Sequence, residues 1–233
     1  MINTIGKSAK GHPIKLYSYG QANAPQVLLY GLPDPGEAVG ASGLLGLLRA
    51  LKDPHHLIHQ MNVRWNFIPC LNIDDQPNDG LTLELVQKEQ HQEVDWMIEQ
   101  PRPETSALLN LNDLLNPVFT FPMHDEFHCE EVLPCYFPVS HELPDHICQE
   151  ISTIIKHYGL DISPDIADAK MGQGFLDMFA INDIHKSTFA QFAKKGLVFI
   201  CEVPRKEESH HKNLMATQLA CAFLLINAIQ LES

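Results

Sequence analysis

The chain has 233 residues and a formal net charge of −13, from 16 lysines and arginines against 29 aspartates and glutamates, so we expect no nucleic-acid partner. Its length is sufficient for a full hydrophobic core, so we expect one domain over residues 1–233. No apolar run approaches the roughly 20 residues of a membrane span, the start of the chain lacks a signal peptide, and the six cysteines are dispersed, so we expect a cytoplasmic protein with reduced thiols and no membrane partner.

Apolar runs alternate with helical patterns along the chain. The sequence predicts strands over residues 13–19, 26–30, 63–71, 117–123, 132–139 and 196–203. It predicts helices over residues 37–52, 103–115, 141–157 and 212–231. Strands separated by helices are typical of an α/β fold, with a mixed, mostly parallel central sheet and helices on both faces. Binding sites in such sheets lie beyond the carboxyl ends of the strands, so the residues that follow each strand are the candidates for chemistry.

Two carboxylates follow the strand predicted over residues 26–30. Asp34 and Glu37 stand three residues apart, across the turn from strand to helix. Two carboxylates at this spacing could bind one divalent cation from one side. The same spacing is typical of a helix cap, in which both side chains satisfy amide groups of the first turn. Taken alone, these two residues favour the cap.

His124 follows the strand predicted over residues 117–123, at the place where a metal ligand belongs. Asp125 and Glu126 come next, and either could orient the imidazole of a ligating histidine. The alternative is a solvated acidic loop, and for His124 alone this is the favoured interpretation.

Glu202 follows six apolar residues at the end of the last predicted strand. A charge at that position costs free energy unless it is paired or has a role in the chemistry. The alternative is that Glu202 already lies in solvent and pairs with Arg205 or Lys206. The sequence favours neither interpretation over the other.

In chain order, several segments resemble the zinc carboxypeptidase family, meaning carboxypeptidase A-like enzymes and their aspartoacylase and succinylglutamate desuccinylase relatives. The segments are residues 5–14 (IGKSAKGHPI), 31–37 (GLPDPGE), 63–72 (VRWNFIPCLN), 94–97 (VDWM), 101–109 (PRPETSALL), 118–126 (VFTFPMHDE) and 197–204 (LVFICEVP). Residues 31–37 occupy the place of that family's HxxE metal motif. Residues 197–204 resemble the strand that carries its catalytic glutamate.

The resemblance implies that Asp34, Glu37 and His124 hold one Zn²⁺ and that Glu202 is the general base. Asp34 stands where the family has a histidine, and a carboxylate-rich set favours a harder ion, so another divalent metal is an alternative. Trp96 and Met97 stand where the family has the Asn-Arg pair that holds the substrate's terminal carboxylate. We therefore expect Arg102 and Arg205 to take over that contact.

The function that the resemblance implies is hydrolysis of an amide bond in a small peptide or an acyl-amino acid. The alternative is a degenerate member of the same fold that binds a metal or a peptide without catalysis. A third interpretation is a plain α/β protein in which the acidic residues only cap helices. The apolar segment 214–231 either packs in the core or forms the interface of a homo-oligomer.

Overall fold

A computed structural model describes residues 1–34, 37–75, 101–126, 135–163, 170–172, 174–180, 184–204 and 211–232. The strands are β1 (Ile2–Lys7), β2 (Pro13–Tyr19), β3 (Gln26–Gly31), β4 (Arg64–Ile68), β5 (Pro117–Met123), β6 (Asp125–Glu126), β7 (Phe137–Val139), β8 (Lys170–Gly172), β9 (Phe175–Asp177), β10 (Leu197–Val198) and β11 (Val203–Pro204). The α-helices are α1 (Ala38–Ala50), α2 (Pro103–Leu114), α3 (Asp145–His157), α4 (Thr188–Ala193) and α5 (His211–Glu232).

The central sheet has six strands in the order β1-β2-β4-β3-β5-β10. The four strands β4, β3, β5 and β10 run parallel to one another, and β2 and β1 are added in antiparallel orientation at one side. Just past the carboxyl end of β5, the short strands β6 and β11 pair with each other in parallel. The predicted mixed, mostly parallel sheet is therefore confirmed, and the residues after β3, β5 and β10 meet at one edge.

Helices cover both faces of this sheet because its strands are apolar on both sides. Along β3, Val27 and Leu29 belong to one core cluster, and Leu28 and Tyr30 belong to the other. The first cluster is closed by α1, α3 and α5, and the second by α2 and α4. Continuous apolar strands of this kind are typical of parallel sheets that are buried on both faces.

Two features of the fold differ from the prediction. The sequence predicts no strand before residue 13, yet β1 pairs with β2 at the sheet edge, and its exposure on both faces removes the alternation that would reveal it. The run over residues 196–203 is not one strand but two short ones, β10 and β11. Residues between them pair with the segment around β7, a partner that an apolar run cannot disclose.

The final helix, α5, matches the predicted bounds of 212–231 to within one residue at each end. By length and composition alone, Lys212–Ile229 would be sufficient to cross a bilayer, contrary to the expectation that no run reaches that size. In the fold, α5 packs against α1 and α3 and contributes Leu225 and Ile226 to the core. Packing in the fold thus accounts for part of its apolar surface, since 39% of Lys212–Ile229 is buried.

Candidate metal centre

The loop after β3 brings Asp34 and Glu37 to the site edge of the sheet. Gly31, at the end of β3, lies so close to α1 that an added Cβ would stand 2.4 Å from the backbone nitrogen of Ala41. Leu32 follows with a φ of 53°, a left-handed conformation that turns the chain sharply. Strand and helix approach closely here, and the two carboxylates between them, Asp34 and Glu37, are both buried.

Glu37 occupies the N-cap position of α1, but its side chain makes no capping hydrogen bond. Its backbone amide instead donates to the carbonyl of Asp34. The capping interpretation, with Asp34 as the cap, is therefore wrong, since α1 begins at Ala38 after Glu37 and the Glu37 carboxylate is directed at His124.

Three carboxylates surround one nitrogen of His124. The Nδ1 atom lies 3.0 Å from Oε2 of Glu37, 3.4 Å from Oδ2 of Asp34 and 3.7 Å from Oε1 of Glu202. One ligand atom each from Asp34, Glu37 and His124 lies within 4.8 Å of the other two. The structure thus brings together the three residues that the sequence pointed to as metal ligands, with Glu202 beside them.

All four of these side chains are buried, which makes their charges expensive. His124 is 2% exposed, and Glu202, the most exposed of the four, is 8% exposed. Burial raises the pKa of Glu37 well above its usual value. The nearby His124 opposes that shift, whereas the negative charges of Asp34 and Glu202 add to it. Three carboxylates with one imidazole among them form an acidic donor set, which favours a bound positive charge.

A divalent cation would supply that charge, and the donor set fits one. Asp, Glu and His are all ligands of zinc and of harder divalent ions. Two ligand atoms of a tetrahedral zinc ion stand about 3.4 Å apart. The Asp34–His124 distance of 3.4 Å already matches this spacing, and the Glu37–His124 distance of 3.0 Å is slightly shorter. Two of the three ligand pairs are therefore already close to the spacing that a bound ion requires.

Glu202 reaches the site because the chain between β10 and β11 turns away from β5. Its backbone amide donates to the carbonyl of Tyr136 at 3.0 Å, and Tyr136 donates back to the carbonyl of Glu202. This paired bridge fixes the backbone of Glu202 beside His124. The side chain is buried there, so the alternative of a carboxylate already in solvent is wrong.

Asp125 supports the site through helix α1. Its Oδ2 accepts a hydrogen bond from the backbone amide of Val39 at 3.1 Å, in the first turn of α1. The side chain is fully buried. Asp125 thus connects the strand end that carries His124 to the helix start that carries Glu37.

Arg102 lies at the N-terminus of α2, where the neighbouring Glu104 accepts a hydrogen bond from the backbone amide of Ala9 between β1 and β2. The strands β2, β4 and β3 separate β1 from β5, so this position is on the far side of the sheet from the strand that leads to His124. The Nε atom of Arg102 lies 3.7 Å from Oε2 of the fully buried Glu104, and the arginine side chain is 25% exposed. The other candidate anchor, Arg205, lies outside the described residues, as do Trp96 and Met97.

One buried polar residue at the site was not singled out by the sequence. Gln218 on α5 is fully buried, and its Nε2 lies 2.5 Å from the carbonyl oxygen of His124. A signal was present, because Gln218 stands four residues after Leu214 and four before Ala222, on the buried face of the helix. Helical spacing could have revealed its burial but not its partner.

Comparisons with known proteins define the fold class. The chain matches no protein-family profile and no curated protein. Among solved structures, it is similar to a candidate metallopeptidase of Shewanella denitrificans, with a TM-score of 0.67, 18% identity and coverage of 97% of this chain and 82% of that one.

Two metallo-carboxypeptidases of known structure are also similar to this chain. The enzyme of Burkholderia cenocepacia superposes with a TM-score of 0.66 and 14% identity, covering 100% of this chain and 65% of that one. The enzyme of Pseudomonas aeruginosa, in complex with (2-guanidinoethylmercapto)succinic acid, gives a TM-score of 0.62 and 14% identity, over 97% and 64%. The chain therefore has a divergent carboxypeptidase-like fold, and it spans about two thirds of these two proteins.

Proposed function

We propose that the protein is a metal-dependent amidohydrolase that cleaves a small peptide or an acyl-amino acid. The observation that carries this proposal is the buried cluster in which Asp34, Glu37 and Glu202 all lie within 3.7 Å of His124 Nδ1. Asp34, Glu37 and His124 would hold one divalent ion, Zn²⁺ or a harder metal. Such an ion polarises a carbonyl and lowers the pKa of water.

Glu202 is the general base in this proposal. It is not needed to complete a set of three ligands, and its carboxylate stands next to that set. It accepts a proton from the attacking water and passes that proton to the nitrogen of the leaving amine. General bases of this kind contribute about 10²- to 10⁴-fold to a rate.

Arg102 is a candidate to bind the substrate's carboxylate, and Arg205 is the second candidate. Arg102 is partly exposed, and the buried Glu104 beside it restricts where the guanidinium can go. A guanidinium binds a carboxylate through two parallel hydrogen bonds, which fixes the orientation of the substrate. This assignment supplies the anchoring charge expected in the absence of an Asn-Arg pair.

A non-catalytic metal-binding protein of the same fold is the second candidate. It is favoured by one distance, because Glu202 Oε1 is only 0.3 Å farther from His124 Nδ1 than Asp34 Oδ2 is, at 3.7 Å against 3.4 Å. If Glu202 became a fourth ligand, the coordination shell would be closed. Closed four-ligand sites are typical of structural ions and leave no open position for water.

The variant Glu202→Gln separates these candidates. The metal content of protein purified without chelators is measured together with hydrolysis of blocked dipeptides and N-acyl-amino acids. If Glu202 is the general base, both proteins should contain one metal ion per chain, and the variant should hydrolyse these substrates about 10²-fold more slowly or worse. If Glu202 is instead a fourth metal ligand, Glu202→Gln should bind the metal more weakly, and the wild-type protein should not hydrolyse the substrates.

His124→Ala is the control for the ligand set. Its metal content should fall close to zero, because the only nitrogen donor of the cluster is removed. Both candidate functions would be wrong if the purified wild-type protein contained no metal and if added Zn²⁺, Mn²⁺ or Co²⁺ did not raise its melting temperature.

A further inference from the structure

The strands that carry His124 and Glu202 are separated at the site. β10 pairs with β5, and β11 pairs with β6, both in parallel and in the same register, which places His124 opposite Glu202. Between these two pairings, Ile200 donates to the carbonyl of Pro138, and Glu202 donates to that of Tyr136. The segment with β7 has thus replaced the neighbouring strand as the partner of residues 200–202.

Gln218 spans this separation from helix α5. Its Nε2 lies 2.5 Å from the carbonyl oxygen of His124 and 3.3 Å from the carbonyl oxygen of Cys201. The amide nitrogen has two hydrogens, so it can donate to both carbonyls at once. One side chain therefore holds the backbone of a ligand residue and the backbone of the residue before Glu202.

This double contact has a physical consequence for the geometry of the site. Gln218 is fully buried, and hydrogen bonds in such an environment are stronger than in water and are costly to leave unmade. Loss of the amide would leave two buried carbonyl groups that compete for other donors. The backbones of His124 and Cys201 would then move relative to each other, and the side chain of Glu202 would follow.

We propose that Gln218 is a positioning residue that sets the separation between His124 and Glu202, an inference that rests on the proposed hydrolytic function. Its amide contacts the main-chain carbonyls of His124 and Cys201, and it acts through the main chain at these two residues. Its effect is therefore expected on the rate of the chemical step and not on substrate binding.

The variant Gln218→Met tests the proposal, because methionine keeps the length of the side chain and lacks the donor. Thr217→Val is the matched control, since Thr217 is a fully buried neighbour on α5 whose hydroxyl donates only to the carbonyl of Asn213 within the same helix. We expect kcat to fall about tenfold or more in Gln218→Met, with KM within about twofold of wild type. Thr217→Val should keep the wild-type kcat.

Two further measurements do not depend on turnover. In crystals of Gln218→Met, the carbonyl oxygens of His124 and Cys201 should separate by more than about 0.5 Å relative to wild type. The visible absorption spectrum of the cobalt-loaded variant should also differ from that of the cobalt-loaded wild type. If Gln218→Met does not fold, Gln218→Asn takes its place, because the shorter amide reaches at most one of the two carbonyls.

The proposal would be overturned if Gln218→Met kept the wild-type kcat, the wild-type cobalt spectrum and the wild-type separation of the His124 and Cys201 carbonyl oxygens. It would also be overturned if Thr217→Val lost as much kcat as Gln218→Met. Failure of the proposed function looks different. In that case the wild-type protein itself neither binds a metal nor hydrolyses a substrate, and the carbonyl separation in the crystal alone decides whether Gln218 positions the two strands.

Discussion

The Nδ1 atom of His124 lies 3.0 Å from Oε2 of Glu37, and less than one tenth of either side chain is exposed. The two residues come from different elements, β5 and α1, and their contact depends on how closely these elements approach. Ligand geometry at this site is therefore a consequence of helix-on-strand packing as much as of the ligands themselves. Substitution of a ligand and substitution of a residue that packs α1 against β5 should both change metal binding, but in different ways.

Replacement of Asp34 by histidine should shift metal preference towards zinc. The substitution removes one of three clustered carboxylates and creates the HxxE pattern of the carboxypeptidases that the sequence resembles. Imidazole is a softer donor than carboxylate, so the ratio of zinc affinity to manganese affinity should rise by about tenfold or more, ~1.4 kcal/mol. Titration calorimetry against a competing chelator measures both affinities.

Asp34→Asn is the control for that experiment, because it removes the same charge without an imidazole. It should weaken the binding of both metals. An unchanged zinc-to-manganese ratio in Asp34→His would show that Asp34 is not a ligand.

Gly40→Ala should move the start of α1, which carries Glu37, away from the end of β5, which carries His124. A Cβ at Gly40 would lie 2.4 Å from the Cβ of Met123 and 2.6 Å from its carbonyl oxygen, so α1 would have to move away from the end of β5. We expect a loss of ~1–3 kcal/mol in the free energy of unfolding, typical of overpacking, together with weaker metal binding. Urea denaturation and calorimetry measure the two effects.

Gly46→Ala, on the same helix, is the matched control. No atom lies within 4 Å of a Cβ built there, and alanine is the better helix former by about 0.5–1 kcal/mol. This variant should be slightly more stable than wild type and should keep its metal affinity. Equal behaviour of the two variants would show that the contact with Met123 does not determine the site.

The sequence predicts the strands at residues 13–19 and 117–123 with the observed bounds, because the first alternates and ends at Gly20, and the second is mostly apolar and ends at His124. The convergence of Asp34, Glu37 and His124 follows from the rule that parallel strands end at one edge. The role of Gln218 could not be predicted in this way. It depends on the separation of two strands by β7, which comes from contacts far apart in the chain.

Asp74 should make stability depend on pH in the acidic range. Burial alone would raise the pKa of this carboxyl, but hydrogen bonds from the Ser8 hydroxyl, the Lys10 backbone amide and His12 outweigh it, and the pKa lies below its usual value of 3.8. The folded state therefore favours the charged form. This contribution is fully present above pH 3.8 and is lost as the pH falls through the lowered pKa.

Asp74→Asn should accordingly be less stable than wild type by about 1 kcal/mol at pH 7, since Asp74 connects the turn after β1 to the loop after β4. The difference should narrow as the pH falls below 3.8. Asp113→Asn, at an exposed position near the end of α2, changes the net charge equally and should show no such trend. A difference that stays constant down to pH 2 would contradict the assignment.

The buried thiols of Cys201 and Cys221 and the half-buried thiol of Cys70 should resist modification in the folded protein. Burial raises the pKa of Cys70 to about 11, so only about one molecule in a thousand carries the reactive thiolate at pH 8. Burial also raises the pKa of Cys201 well above its usual value, and contact with Cys221 adds to that shift. Maleimide labelling at pH 7.5, mapped by peptide mass spectrometry, should therefore modify Cys70, Cys201 and Cys221 only after unfolding.

Cys148 provides the internal comparison for this experiment. It is less buried than Cys201, and its Sγ lies 3.8 Å from the carbonyl oxygen of Leu143 near the start of α3. Its labelling in the folded protein should be faster than that of the other three, although its own pKa is also raised, first by burial and then by Asp145. Labelling of Cys201 at the rate of Cys148 would mean that the strand segment before Glu202 opens to solvent, because only exposure of the thiol can remove the cost of its ionisation.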